Sequence, residues 1–128
     1  MLKLSLILNP TNLMQITRIN EAKTYQAPNH NDMTCYRLQG KEAGPSEKMW
    51  MGMSVIEPGG QTGLDGSPSE KIYFVLEGEL SLVCETPNGL QSETTLHPND
   101  SCTFLAGEKR QLKNLSNSVV KVLLIMSI

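Results

Sequence analysis

The sequence lacks the features on which nucleic-acid binding, membrane insertion and disulfide scaffolds depend. Its 11 lysines and arginines stand against 13 aspartates and glutamates and are scattered along the chain, so neither a nucleic-acid nor a membrane partner is predicted. No stretch approaches the roughly 20 apolar residues that a membrane-spanning helix needs. The three cysteines have no CxxC spacing, which argues against a disulfide framework or a structural zinc site and favours a reducing, cytoplasmic location.

Helical periodicity is also missing, and the chain consists instead of short β-rich segments between glycine, proline, asparagine and serine residues. This pattern is typical of a sandwich or barrel, and it predicts about eight or nine strands in an all-β domain with antiparallel hairpins. The 128 residues are enough to bury the core of one domain. The predicted strands cover residues 33–39, 48–57, 71–76, 79–86, 90–96, 101–105, 110–115 and 119–126.

Three groups of turn-forming residues separate these segments. Pro58-Gly59-Gly60 is predicted to end one strand, and Pro98-Asn99-Asp100 is predicted to form a turn. Asn88-Gly89 lies between two strands. Because both residues tolerate a positive φ, this pair predicts a tight two-residue hairpin loop.

The first 13 residues differ in character from the rest of the chain. They contain one lysine and a short apolar run, Leu4 to Leu8, but neither the longer apolar region nor the cleavage site of a secretory signal. Residues 1–13 are therefore expected to be an N-terminal extension or an extra edge strand, and the sequence does not choose between the two. The main domain is predicted to span residues 14–128.

Two glycine-centred motifs lie about twenty residues apart in the second half of the chain. The first begins at Gly59 and ends at Gly78, and the second runs from Asn99 through Gly107 to Asn114. These spacings resemble the two motifs of the cupin superfamily, with Asn99 in place of a glycine at a turn where asparagine also tolerates a left-handed backbone. The resemblance implies a single antiparallel β-barrel (a jelly roll, or double-stranded β-helix) that forms a homodimer.

In typical cupins three histidines and a glutamate bind a divalent metal at the centre of the barrel. By register, those four positions are occupied here by Asp65, Ser67, Lys71 and Arg110. Two cations, one carboxylate and one hydroxyl do not make a usual site for iron, manganese, nickel or zinc, so no metal and no cofactor are predicted. The two histidines lie outside both motifs, His30 in a predicted loop and His97 in a predicted turn.

The same four residues allow two interpretations of the barrel centre. In one, Asp65 and Lys71 form a structural ion pair, Arg110 reaches solvent, and the pocket is filled. In the other, Asp65 neutralises only one of the two cations, and the surplus positive charge binds the carboxylate or phosphate group of a small acidic metabolite. Sugar acids are among the candidates by resemblance, and both interpretations remain open.

Lys71 also suggests a catalytic alternative. Partial burial beside Arg110 should lower its pKa, and an unprotonated lysine can act as a base or form a Schiff base with a carbonyl group. Tyr73 shares the face of Lys71 by strand alternation and is a candidate proton donor. These two residues would serve a metal-independent isomerase, lyase or decarboxylase, so the sequence leaves open whether the protein is an enzyme.

Overall fold

The computed structural model describes residues 14–128, so the prediction for residues 1–13 lies outside the described part. Within that part there is no α-helix, and no helix is long and apolar enough to cross a membrane. Two short 3-10 helices occur, Ile19–Glu21 and Lys41–Ala43. The ten strands are β1 (Lys23–Tyr25), β2 (His30–Gln39), β3 (Met49–Thr62), β4 (Asp65–Gly66), β5 (Lys71–Glu77), β6 (Leu80–Glu85), β7 (Gln91–Leu96), β8 (Ser101–Phe104), β9 (Lys109–Lys113) and β10 (Val120–Ser127).

The ten strands form one antiparallel sheet that curls into a barrel. Its main path runs β7-β6-β9-β3-β10-β5-β8, while β1 and β2 extend from β3, and β4 pairs with β9. Alternate residues of β3, β5, β6, β9 and β10 point into the barrel, because successive side chains of a strand face opposite sides. The core they form includes Ile56, Val75, Leu80, Leu112 and Val120. The predicted all-β jelly-roll barrel is confirmed.

β3 does not end at Pro58-Gly59-Gly60, as the sequence predicted, but continues to Thr62. Gly59 has φ +84°, which bends the strand, and beyond the bend β3 changes partner. Its new partner is Asn114, which accepts a hydrogen bond from the Gly59 amide at 2.9 Å and donates one to the Gly60 carbonyl at 2.9 Å. Glycine and proline therefore redirect the strand here, because the backbone groups around them still find partners across the sheet.

The Asn88-Gly89 hairpin has a three-residue loop instead of the predicted two-residue loop. Thr86 and Leu90 pair through the Thr86 amide and the Leu90 carbonyl at 2.8 Å, which leaves Pro87, Asn88 and Gly89 in the loop. Among these loop residues only Gly89 has a positive φ, +89°. Pro87 favours position i+1 of a type I turn, and a glycine at the left-handed position that follows is the usual three-residue solution.

Two of the ten strands are short and were not predicted, and one of them places part of the site. β1 adds to β2, and the two-residue β4 bridges to β9, where Asp65 lies opposite Arg110 in the register. β2 also begins earlier than predicted, so His30 lies in a strand, opposite Thr62 of β3, and not in a loop. The pairing of β2 with β3 continues to His30 through a register shift near Asp32, whose φ is +52°.

Asn114, the last residue of the second motif, braces the barrel from inside. Its side chain is fully buried, and its Nδ2 donates to the carbonyl groups of Ile56 at 3.0 Å and Ser118 at 2.7 Å. Its Oδ1 accepts from the amide and the hydroxyl of Ser116. Because every polar group of this buried amide is used within the scaffold, its role is structural.

Candidate functional site

A cavity of about 390 Å³ is lined by residues from β1, β2, β3, β4, β5, β9 and β10. Four residues predicted for the site, Asp65, Ser67, Lys71 and Arg110, all line it. Tyr73, the fifth, does not: it is only 3% exposed and belongs to the hydrophobic core beside the cavity. The cavity therefore brings together two cations and one carboxylate.

Lys71 is the first residue of β5 and points inward, because Lys71, Tyr73 and Val75 alternate with outward-facing residues. The residue is 7% exposed, and no carboxylate of residues 14–128 lies within ion-pair distance of its ammonium group. Burial and, to a smaller extent, the charge of Arg110 lower the pKa of Lys71 to about 8, whereas Asp65 acts in the opposite direction. Lys71 is thus a cation that loses its proton far more readily than an exposed lysine.

Arg110 is equally buried, at 7% exposure, and is held by Tyr73. Its Nε donates a hydrogen bond to the Tyr73 hydroxyl oxygen at 2.9 Å, while its Nη1 is buried without a hydrogen-bond partner in the described part of the chain. Burial raises the pKa of Tyr73, so this hydroxyl stays protonated and neutral. Tyr73 therefore orients the guanidinium without neutralising it.

Asp65 and Ser67 form their hydrogen bonds with residues other than Lys71 and Arg110. Asp65 Oδ2 accepts a hydrogen bond from Asn29 Nδ2 at 3.3 Å. The Ser67 hydroxyl donates to the Ser69 carbonyl at 2.8 Å and accepts from the Ser69 amide at 3.3 Å. Ser67 thus forms a local turn that shapes the loop, and Asp65 keeps lone pairs available for a ligand.

The structural ion pair that one interpretation expected between Asp65 and Lys71 is not formed. Among residues 14–128 no salt bridge joins Asp65 to Lys71 or to Arg110, and Arg110 does not reach solvent. The side chains have other partners: Asp65 accepts its hydrogen bond from Asn29, and Arg110, although directly opposite Asp65 across β4 and β9, turns toward Tyr73.

His30 lines the cavity although the sequence gave no reason to place it there. Its Nδ1 lies 2.7 Å from the Pro28 carbonyl, and since a carbonyl only accepts, Nδ1 carries the proton. Burial lowers the pKa of His30, so the ring is neutral at pH 7 and Nε2 remains an acceptor. The net charge of the cavity is therefore +1, from Lys71, Arg110 and Asp65.

An aromatic group that sequence analysis did not assign to the site closes one side of the cavity. Tyr25 and Trp50 meet edge to face with ring centroids 6.3 Å apart. Arg37 lies over both rings, with its Cζ 4.0 Å from the Tyr25 centroid and 4.5 Å from the Trp50 centroid, and its Nε is 3.1 Å from Glu42 Oε1. Strand alternation predicts that either Tyr36 or Arg37 faces inward, but only the pairing with β3 shows that it is Arg37.

The family model described as "Cupin domain" matches residues 52–126, which is more than half of the chain. This chain belongs to the cupin family. A relative named β-D-galactosidase from Mycobacterium tuberculosis is 41% identical over 101 residues, which cover 79% of this chain and 83% of the relative.

Solved structures confirm the cupin fold at low sequence identity. The polyketide cyclase RemF from Streptomyces resistomycificus is 19% identical with a TM-score of 0.74, and the match covers 90% of this chain and 80% of that chain. A protein described as a predicted oxalate decarboxylase from Thermotoga maritima is 22% identical with a TM-score of 0.73, covering 90% of this chain and 99% of that chain. At these identities the likeness establishes the fold and nothing about the ligand.

The residues of this cupin do not fit the metal that typical relatives bind. At the four expected positions, Lys71 and Arg110 present cations and Ser67 has its hydroxyl engaged in a turn, which leaves Asp65 alone as a ligand of the usual kind. Residues 14–128 contain no cluster of three or more histidine, cysteine, aspartate or glutamate side chains that could hold a metal ion. The side chains at these four positions therefore do not support chemistry through a bound metal ion.

Proposed function

We propose that this cupin binds a small acidic metabolite in its cavity, without a metal ion, through Lys71 and Arg110. One observation carries the proposal: both cations are buried, and neither has an anionic partner within the described residues. A buried charge without a partner costs several kcal/mol, and the fold tolerates that cost at two adjacent positions. A carboxylate or phosphate bound between Lys71 and the free Nη1 of Arg110 would remove it.

The β-D-galactosidase relative favours a sugar-like body for this ligand, and hence a sugar acid. Hydrolysis of a galactoside is less well supported, because most glycosidases use two carboxyl groups that flank the bond. Within the described residues, Asp65 is the sole carboxylate lining the cavity, and Glu70 is exposed on a separate groove. Assay with nitrophenyl β-D-galactoside decides the matter: turnover that Asp65→Asn abolishes would replace binding with hydrolysis as the function.

Thermal denaturation with and without anions tests the proposal. Phosphate, oxalate and D-galacturonate are titrated into the wild-type protein, Arg110→Gln and Lys109→Gln. Lys109 is the matched control, since it is the adjacent cation of β9 but is exposed and pairs with Glu85. At least one anion should raise Tm of the wild type and of Lys109→Gln, and should have little effect on Arg110→Gln. An undiminished response in Arg110→Gln, or no response to any anion, contradicts the proposal.

A second candidate is a metal-independent isomerase, lyase or decarboxylase, favoured by the pKa of about 8 at Lys71. The neutral amine would attack the carbonyl carbon of a substrate and release water to form a Schiff base, while Tyr73 would act through the Arg110 that it positions. Borohydride reduction in the presence of pyruvate and other small carbonyl acids tests this candidate. A mass increase on Lys71 that is absent in Lys71→Arg supports it, whereas unmodified protein counts against it.

A further inference from the structure

The cavity has an apolar side that the proposed anion site does not use. Trp50, Leu124 and Met126 line it from β3 and β10, and we call these three residues the apolar wall. Trp50 lies opposite Met126 in the β3–β10 register, and Leu124 lies two residues away on the same face. The apolar wall is therefore a continuous surface made by two neighbouring strands.

The apolar wall and the cations meet directly. In the register of β10 with β5, Met126 is opposite Lys71, so a single row across three strands reads Trp50, Met126, Lys71. Arg110 and Asp65 line the same cavity from β9 and β4. A ligand in the cavity thus meets positive charge directly beside apolar surface.

Neighbouring residues fix the position of Trp50 in the apolar wall. Arg37 covers the Trp50 ring, and Gly52 leaves the space this ring needs: a Cβ at Gly52 would lie 3.0 Å from Trp50 Cζ3. Gly40, with φ +79°, is pressed against the Trp50 backbone, where a Cβ would lie 2.6 Å from the Met49 carbonyl. A surface held in this way is formed before the ligand arrives, which lowers the entropic cost of binding.

We propose that the ligand is an amphipathic acid, with its anionic group at Lys71 and Arg110 and a compact apolar face against Trp50, Leu124 and Met126. This inference rests on the proposed function and adds the shape of the ligand to it. Removing the apolar face of such an acid from water adds binding energy that a bare anion does not obtain. A cavity of about 390 Å³ accommodates one ring with its acid group, at the small end of known ligand pockets.

Cyclohexanecarboxylate, acetate and phosphate are suitable probes because they share a negative charge and differ in apolar surface. Trp50 is the single tryptophan of the sequence, so its fluorescence reports binding at the apolar wall. Isothermal titration calorimetry provides a second measurement. We expect cyclohexanecarboxylate to bind at least about tenfold more tightly than acetate, because burial of several CH₂ groups contributes that much.

Two methionine variants separate the apolar wall from general effects on the fold. Met126→Gln should weaken cyclohexanecarboxylate about tenfold and leave acetate unchanged. Met14→Gln is the control, since Met14 is exposed outside the strands and should change neither affinity. If Met126→Gln does not fold, Leu124→Val provides the same comparison with a smaller expected loss.

The outcomes distinguish this inference from the proposed function. Equal affinity for cyclohexanecarboxylate and acetate, or an equal loss of both in Met126→Gln, overturns the amphipathic ligand while anion binding stands. Binding of phosphate with no response to either organic acid has the same consequence. If none of the three anions binds, both proposals fail together.

Discussion

At the scale of single residues, Lys71 is the group whose chemistry depends most on its surroundings. Its ordinary pKa of 10.5 falls to about 8, first because it is buried and then because Arg110 lies near. Arg110 in turn is kept in place by a neutral hydroxyl, that of Tyr73, which cannot offset its charge. Any function of the cavity should therefore respond to pH near the pKa of Lys71.

Anion affinity should fall as pH rises through about 8, because Lys71 loses its charge there while Arg110 keeps its own. Cyclohexanecarboxylate is a suitable probe, since a simple carboxylate stays ionised throughout this range. The dissociation constant is measured from pH 6.5 to 9.5. Lys71→Arg should flatten the profile, because an arginine remains charged. A wild-type affinity that is constant over this range contradicts the assignment of Lys71.

The same residue should limit the stability of the protein without ligand. Its folded-state pKa is depressed, so between about 8 and 10.5 the unfolded chain binds more protons than the folded chain, and stability rises with pH. Lys71→Met should therefore raise Tm at pH 7 by about 3 °C or more, and the gain should vanish above pH 10.5. Differential scanning calorimetry measures this, with Lys109→Met as the exposed control; a loss of Tm at pH 7 would contradict it.

Sequence reasoning found the charged residues of the cavity and missed the others for a physical reason. Asp65, Ser67, Lys71 and Arg110 lie at fixed spacings within two motifs, and strand alternation then places them on one face. His30 depends instead on a register shift in β2, which no local pattern records. The sequence also did not predict that Asp65 bonds to Asn29 and not to a cation. Motif spacing indicates which strands meet, but not the direction in which a long side chain such as that of Arg110 turns.

At the scale of secondary-structure elements, the turns show which glycines the fold requires. Gly59 and Gly78 have nearly the same φ, +84° and +83°. They differ in surroundings: a Cβ at Gly59 would meet nothing within 4 Å, whereas one at Gly78 would lie 2.6 Å from the Val119 carbonyl. The left-handed turn at Asn99, with φ +76°, confirms the sequence-based expectation for that position.

Alanine substitution at the two glycines separates backbone strain from crowding. Gly59→Ala should cost about 1 kcal/mol, which is the strain of placing a Cβ in the left-handed region. Gly78→Ala should cost about 3 kcal/mol or more, because the backbone at Val119, just before β10, must also move. Urea denaturation measures both free energies of unfolding. Equal losses would mean that the contact with Val119 contributes nothing.

The strand boundaries show how much of the fold can be predicted from the local sequence pattern. Most predicted strands agree with β2, β3 and β5 to β10 to within a few residues, because alternation and turn residues mark them clearly. The sequence predicts that β3 ends before Pro58, because proline and glycine usually end strands. In the structure a new partner, Asn114, forms hydrogen bonds with the β3 backbone beyond the bend. Long-range pairing of this kind is decided by the whole barrel and not by the local sequence.

At the scale of the whole molecule, the outer face of β3, β10 and β5 carries two apolar rows. One row contains Met53, Leu123 and Phe74, and the next contains Met51, Ile125 and Ile72. No helix covers this face within residues 14–128. We expect a second copy of the chain to cover it in a homodimer, as a partly exposed apolar surface of several strands favours association.

Size-exclusion chromatography with light scattering tests this expectation. Ile125→Lys should shift the protein to the monomer, because a lysine at the centre of the face would be buried without a partner. Thr94→Lys, on the exposed strand β7, introduces the same side chain elsewhere and should leave the dimer intact. A monomeric wild type, or an undisturbed dimer in Ile125→Lys, would exclude this interface.

The position of β10 between β3 and β5 has a consequence for how the barrel is made. β10 is the last of the ten strands in chain order, yet it supplies a partner to both. During synthesis, β3 and β5 therefore emerge before residues 120–127, and the edges that β10 will pair with are still unpaired. We expect slow folding, dominated by contacts between distant parts of the chain, and the greatest risk of aggregation in the interval before that final strand arrives.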